Sequence, residues 1–321
     1  MKLFRMLALA VLAAGSLPAL ADELPAGPIR LLVGFAPGGA NDAIARLIST
    51  PLQAQIKTTV VVENKPGVGS NVAAGEMARA TPKGQVLLLG STGGQTIAPA
   101  IYSKLPFDAA KDIQPVTLIS RSALAVVVYD GLPVKNISEL IAYARQNPGK
   151  LNYSTGGNGT GAHLGTEYFK SMAGVSMTHI PYKGDAPALQ DVMAGLAQVN
   201  FAGLPAAIAA TASGKVRIIA VTSPQRVPQL PTVPTVAESG LPDYTVLTWY
   251  GVFTTGGTPA PVVKRLASEI GQVVKQPAVR DAIVKLGMEP APSTPEEFAK
   301  VFQGDMERWG KMVRALGIKA D

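Results

Sequence analysis

The chain has 321 residues, with 29 Lys and Arg against 22 Asp and Glu, two His and no Cys, for a formal net charge of +7. Without cysteine it can hold neither a disulfide nor a lipid-modified N-terminal cysteine. The basic excess is spread thinly, without Lys/Arg runs or interleaved aromatics, which argues against a nucleic-acid surface; 47% hydrophobic content argues against disorder.

Residues 1–21 read as an export signal. Lys2 and Arg5 form a positive start, residues 6–17 are apolar, and Ala19-Leu20-Ala21 is a cleavage motif. The apolar run falls short of the ~20 residues that span a bilayer. Cleavage after Ala21 is expected, and the periplasm is the expected address. It removes two basic and no acidic residues, leaving a net charge of +5. What remains exceeds one ordinary core, so two domains are expected.

Strands are expected over residues 29–33, 60–63 and 86–90, whose aliphatic and β-branched runs suit a parallel sheet covered on both faces. Helices are expected over 42–55 and 70–80, with Asp42 and either Ser70 or Asn71 as N-caps. Pro51 predicts a kink or an end near Ser49. Alternation at this spacing gives βαβ units.

A second series follows residue 120. Residues 124–129 read as a strand, and Ile137, Leu140, Ile141 and Ala144 as a helical stripe stopped by Asn147-Pro148-Gly149. A strand at 151–154, a glycine-rich loop and a helix through Leu164, Tyr168 and Met172 come next. A strand at 177–180 leads to a helix with Asp185 as N-cap and Pro187 just inside. Strands at 199–201 and 218–221 complete a second parallel sheet. Residues 261–274, 278–286 and 295–316 read as helices, the last capped by Ser293 or Thr294. They bring no new sheet, so they are expected to fold back on the first domain. The chain then crosses between domains twice, at 116–129 and 244–254. Domain one is residues 22–122 plus 251–321, domain two is residues 123–250, and the class is α/β with two doubly wound sheets joined by two crossing strands.

Two strand–loop–helix units carry the chemistry. In residues 151–172 four glycines, Gly156, Gly157, Gly159 and Gly161, separate strand from helix; in residues 29–48 the loop is GFAPGGAND. Glycines let the backbone approach a ligand, and a helix N-terminus turns free N–H groups and the positive dipole end toward an anion. The candidate binding residues are Phe35, Pro37, Gly38, Gly39 and Asp42 in the first unit. In the second they are Gly157, Asn158, Gly159, Thr160, Gly161, Ala162 and His163. Ser91 and Thr92 stand at a strand end as hydroxyl donors. Lys183 is a candidate counter-charge, and Phe35 with Trp249 or Tyr250 a candidate cleft floor. Asp42 as a plain N-cap, aromatics as plain core and Lys183 as a solvated lysine are the duller readings.

Other chemistries fit less well. The loop GGNGTGAH lacks the spacing of a dinucleotide fingerprint and the Lys-Ser/Thr of a phosphate loop. His163 and Glu167, four apart, would supply two metal ligands where three or four are needed. There is no G-x-S-x-G elbow and no thiol nucleophile. An exported α/β hydrolase-like enzyme acting on a small carboxylate ester is the alternative.

The segments GFAPGGAND, VVENKPGVGSNVAA, LPFDAAKDIQPVTLI, HIPYKGDAPALQDVMAG, GKVRIIAVTSPQRVPQLPTVPTVAESG and STPEEF occur in this order. Together they resemble the Bug family, the extracytoplasmic receptors of tripartite tricarboxylate transporters, over nearly the whole mature chain. The resemblance implies a two-lobed, Venus-flytrap periplasmic binding protein of type II. It implies a small carboxylate held by the loops at Pro37, Gly38, Gly39 and Asp42 and at Gly157 through His163, partly through bridging water. It further implies a monomer without cofactor, metal or catalytic residues, with the membrane subunits of such a transporter as partners.

Overall fold

Period-two alternation in the central strands fixes the layers. The computed structural model describes residues 24–318 apart from Pro25, Ser103, Lys104 and Lys183; the expected export signal and Lys183 therefore lie outside the described residues. Strands β1 (Ile29–Val33), β2 (Val60–Asn64) and β3 (Val86–Ser91) are parallel neighbours in the order β2-β1-β3. Leu31, Val33, Leu87 and Leu89 point to one face, and Leu32 and Leu88 to the other. Helix α1 (Ala40–Ile56) packs on the first face through Ile44, Ile48 and Leu52. Helix α2 (Asn71–Ala78) covers the second through Ala73, Ala74 and Met77.

After a π-turn at Gly93–Ile97 and a short helix α3 (Ala98–Ile101), β4 runs unbroken from Ile113 to Tyr129. Its first half pairs antiparallel with β9 (Leu247–Thr255), and β9 in turn pairs antiparallel with β3. Its second half lies between β7 (Val199–Gly203) and β8 (Val216–Val221), antiparallel to both. Beyond β7 come β5 (Asn152–Thr155) and β6 (Thr178–Pro181), all parallel. The second sheet is thus mixed rather than parallel, because a crossing strand enters it from the other lobe. Alternation persists: Val126, Val128, Tyr153 and Phe201 face α4 (Ile137–Gln146) and α5 (Gly161–Ala173), while Ala125, Val127 and Ala202 face α6 (Asp185–Met193) and α7 (Leu204–Thr211).

The chain ends on α8 (Ala260–Lys275), α9 (Pro277–Lys285), a two-residue strand β10 (Glu289–Pro290) on β4, and α10 (Pro295–Leu316). α8 and α9 fold back on lobe one beside α1. α10 begins at Thr294, whose hydroxyl accepts from Glu297 N–H while the Glu297 carboxylate accepts from Thr294 N–H. It reaches further than expected. Phe298 and Phe302 join the lobe-one core, and Trp309 and Val313 join the cluster in which Ile97 and Ile101 of lobe one meet the core of lobe two.

Three local expectations give way. Pro51 does not stop α1, because Ile48 and Leu52 on either side of it are locked into the core. Asp42 and Asp185 are not N-caps; Gly39 and Gly184 hold those places. A helix starting two residues earlier puts Asp42 in its first turn, with consequences for the loop.

Candidate functional site

Each loop is built from behind. In lobe one Asp42 is 4% exposed and accepts from Gly38 N–H at 3.0 Å, Arg46 Nε at 3.0 Å and Asn64 Nδ2 at 3.0 Å; Asn64 Nδ2 also donates to the Phe35 carbonyl at 3.1 Å. The Arg46 guanidinium and the Gly38 N–H hold the Asp42 carboxyl at about 2, well below the usual range. The loop can fold this tightly because Gly34 has no side chain: a Cβ there would sit 1.9 Å from Ser70 Oγ. Gly39 offers no capping side chain, so the N–H groups of Gly39, Ala40 and Asn41 are left without an acceptor among the described residues.

In lobe two Thr160 caps α5, its hydroxyl accepting from His163 N–H at 3.2 Å and donating to the Gly157 carbonyl at 2.9 Å. His163 is buried beneath the loop. Its Nδ1 accepts from Gly159 N–H at 3.2 Å, and its ring stacks on His179 at 4.2 Å, which stacks on Tyr153 at 4.7 Å. His179 Nε2 meets Thr155 Oγ1 at 2.7 Å. Burial lowers both imidazoles, with the neighbouring ring adding to the effect on His179, which falls to about 4. Both are neutral near pH 7. The N–H groups of Thr160, Gly161 and Ala162 have no acceptor among the described residues.

Between these two helix starts lies a cavity of about 530 Å³, within the range of small-molecule sites. Lobe one lines it with Phe35, Gly38, Gly39, Asn41, Ser91 and Thr92; lobe two with Asn158, Gly159, Thr160, Gly161, Ala162 and Asp185. Ser122, Thr248 and Tyr250 of the crossing strands add hydroxyls. The lobes touch at its edge: a Cβ on Gly159 would lie 2.5 Å from Ile101 Cδ1, and one on Gly93 would lie 3.1 Å from the Gly159 carbonyl. Asp185 is the one charged side chain lining the cavity among the described residues. The residue is exposed at the cleft, and desolvation by neighbouring protein pushes its carboxyl up. Burial, helped by the Asp185 charge, raises the Tyr250 phenol to about 12.

A sequence profile described as the tripartite tricarboxylate transporter family receptor, TctC, matches residues 44–318. The chain belongs to this family. Protein BugT of Bordetella pertussis is 31% identical over 303 residues, covering 94% of this chain and 93% of its own. A protein of the tcbD-tcbE intergenic region of Pseudomonas sp. (strain P51) is 38% identical over 301 residues, covering 94% of this chain and 89% of its own. Among solved structures, Rhodopseudomonas palustris Rpa4515 with adipate superposes with a TM-score of 0.82 at 33% identity, over 92% of this chain and 99% of that one. MatC of Rhodopseudomonas palustris with bound malate gives 0.78 at 30%, over 90% and 99%. The fold is that of a two-domain periplasmic binding protein, and the chain is a TctC solute-binding receptor.

Of the residues this receptor's sequence singles out, the structure gathers Phe35, Gly38, Gly39, Ser91, Thr92 and Asn158 through Ala162 around one cavity. Pro37 and Gly157 do not line it. Asp42 and His163 sit behind their loops and hold them. Trp249 is a correction: its indole faces away, packing edge-on to Phe298 at 5.2 Å and donating Nε1–H to Asp305 at 2.8 Å. Tyr250, next along the strand, faces the cavity instead. The N–H groups of Gly38 and Gly159 are occupied by Asp42 and His163, so the open donors lie one residue onward in each loop. Sequence reasoning missed Asn41, Tyr102, Ser122, Thr248 and Asp185 as lining residues; only the period of β9 could have flagged Thr248. No histidine lines the cavity. No described residues form a metal-ligand cluster, and no described helix is long and apolar enough to cross a membrane.

Proposed function

We propose that this receptor is exported to the periplasm by cleavage after Ala21, captures a small organic carboxylate between its lobes and delivers it to the membrane subunits of a tripartite tricarboxylate transporter, without catalysing a reaction. The domain division is 22–122 plus 251–321 against 123–250. The observation that carries this reading is the pair of uncapped helix starts, Gly39–Ala40–Asn41 and Thr160–Gly161–Ala162, bordering one cavity that no described cation lines. Neutral donors on helix dipoles suit a carboxylate. Each charge-assisted bond contributes about 1.5–3 kcal/mol. The adipate and malate in the two related structures are carboxylates of the expected size.

A thermal-shift screen tests the ligand class. Ligand at a hundredfold excess over Kd adds roughly 2.7 kcal/mol, which for this chain raises Tm by about 4 °C or more. Hits are expected among mono-, di- or tricarboxylates and not among the matching amides and alcohols. Hits confined to sugars or nucleotides would overturn the reading. Closure of the lobes about the ligand is expected to lower the radius of gyration in small-angle scattering, and an unchanged value would count against the trap.

A further inference from the structure

We propose that Asn158–Gly159 is a self-modifying site, where the Gly159 amide closes on the Asn158 side chain while His163 takes its proton, and that the resulting acid shuts the cleft to carboxylates. The first half stands on the loop alone; the second rests on the carboxylate-capture reading. This is the one Asn-Gly dipeptide of the chain. Such a pair has an ordinary role in turns that need positive φ, and φ is indeed 138° at Gly157 and 72° at Gly159. A plain turn, however, does not require a base on its amide. The Gly159 N–H donates to His163 Nδ1 at 3.2 Å, which sets an acceptor on the nitrogen that must lose a proton before the ring can close. Asn158 is exposed at the cavity. The hydrogen bonds of the loop run through Thr155, Thr160 and His163 and, among the described residues, leave the Asn158 side chain free to turn. Gly159 brings no Cβ to hinder the approach.

The step balances with water alone. His163 Nδ1 takes the Gly159 proton, and the Gly159 nitrogen forms its bond to Asn158 Cγ. The imidazolium returns the proton to the side-chain nitrogen, whose bond to Cγ breaks as ammonia leaves. Water then opens the cyclic imide at either carbonyl, giving aspartate or isoaspartate. His163 suits this task because it is neutral near pH 7: burial lowers its pKa, Lys170 adds to the effect and Glu167 opposes it. The other groups packed on the ring are His179, stacked at 4.2 Å, and beyond it Tyr153, whose hydroxyl donates to Glu167. A carboxylate at position 158 lies two and three residues before the open N–H groups of Thr160 and Gly161. That is the spacing at which an Asp side chain accepts from its own backbone. The product therefore competes for the amides that the ligand uses, and its charge repels a second anion.

The test ages the full mature chain in warm neutral buffer and maps its peptides by mass. Asn158 is expected to become acid, with isoaspartate among the products, at least about tenfold faster than any other asparagine of the chain. A rate no faster than theirs would overturn the inference. A neutral imidazole acting as base keeps the rate flat between about pH 7 and 8, whereas hydroxide alone raises it about tenfold over that unit. The wild type is expected to be flat, and H163Q to be slower at pH 7 with the steep profile restored. A faster H163Q would mean that the histidine guards the amide, which overturns its role as base. A steep wild-type profile would do the same, and it decides even if H163Q folds poorly. Fresh chain, aged chain and N158D are then compared in thermal-shift titrations with adipate and malate. Aged chain and N158D are expected to need at least about tenfold more of either acid than fresh chain for the same rise in Tm. Equal responses would overturn the shutting of the cleft. A fresh chain that neither acid stabilises would overturn the capture reading and the shutting with it, while the mass gain at Asn158 is judged by itself.

Discussion

Behind the lobe-one loop stands an ion pair, and behind the lobe-two loop stands a stack of neutral rings. Both present three free N–H groups at a helix start, yet Asp42 with Arg46 and Asn64 braces the first while His163, His179 and Thr155 brace the second. In each case the brace takes one loop amide for itself, Gly38 or Gly159, and so fixes the direction of the next ones. What the cavity requires is rigid amides, and either an ionic or a neutral support supplies them. The two supports differ in how closely they approach the opposite lobe and in how they titrate.

Closeness gives the largest expected effect. Gly159 has φ 72° and its missing Cβ would collide with Ile101, whereas Gly38 has φ 88° with nothing within 4 Å of a Cβ. Gly159→Val should weaken carboxylate binding at least a hundredfold, and Gly38→Ala only severalfold, both read by calorimetry. Equal losses would show that the loops meet the ligand alike. An intermediate effect is expected on stability. Asp42→Ala leaves three donors without their acceptor and should cost about 1–3 kcal/mol in denaturant unfolding. Thr160→Ala removes one cap and should cost about 1 kcal/mol. The reverse order would mean that lobe two, not lobe one, depends more on its loop.

Titration gives the smallest and most discriminating effect. Asp42 titrates lower in the fold than in the unfolded chain, so its contribution is complete above about pH 4 and is lost as pH falls toward 2. His179 also titrates lower when folded, at about 4 against an ordinary 6.5, within reach of the charges of His163, Glu167 and Lys170. A neutral histidine of this kind leaves stability complete above about pH 6.5 and erodes it down to about 4. Stability should therefore fall in two windows. His179→Gln should flatten the upper one and Asp42→Asn the lower. A single window removed by neither substitution would refute the contrast.

Most strands, the crossings and both loops were legible because each rests on a local signal: alternation of Leu31, Leu32 and Val33, the breaker at Asn147-Pro148-Gly149, four glycines before one helix; the antiparallel entry of β4 into the second sheet was not. What could not be read is direction. Trp249 and Tyr250 are neighbours on β9, and one must face the cavity while the other faces the core; period two says they differ without saying which is which. The answer lies in α10, whose Phe298 and Asp305 hold the indole and are distant in sequence. Pro51 was misread for a similar reason, since packing of Ile48 and Leu52 outweighs a lost helix bond. Asp185 was read only as a cap because its placement depends on how β6 delivers α6 to the cavity mouth.

The terminal helix has one more consequence. Phe298 packs between Trp249 and Phe253 in one lobe, while Trp309 is sunk where Ile97 and Ile101 of that lobe meet the core of the other, 11 residues and roughly 16 Å along the same rod. A rod seated at both ends is a strut, and the two halves of the trap are moored to it as well as to their crossing strands. They can swing about its length but cannot be drawn apart along it without unseating an aromatic anchor. The trap is therefore steered by its own C-terminus, and a chain shortened before Trp309 would keep its amide-lined cavity while losing the bearing on which it shuts.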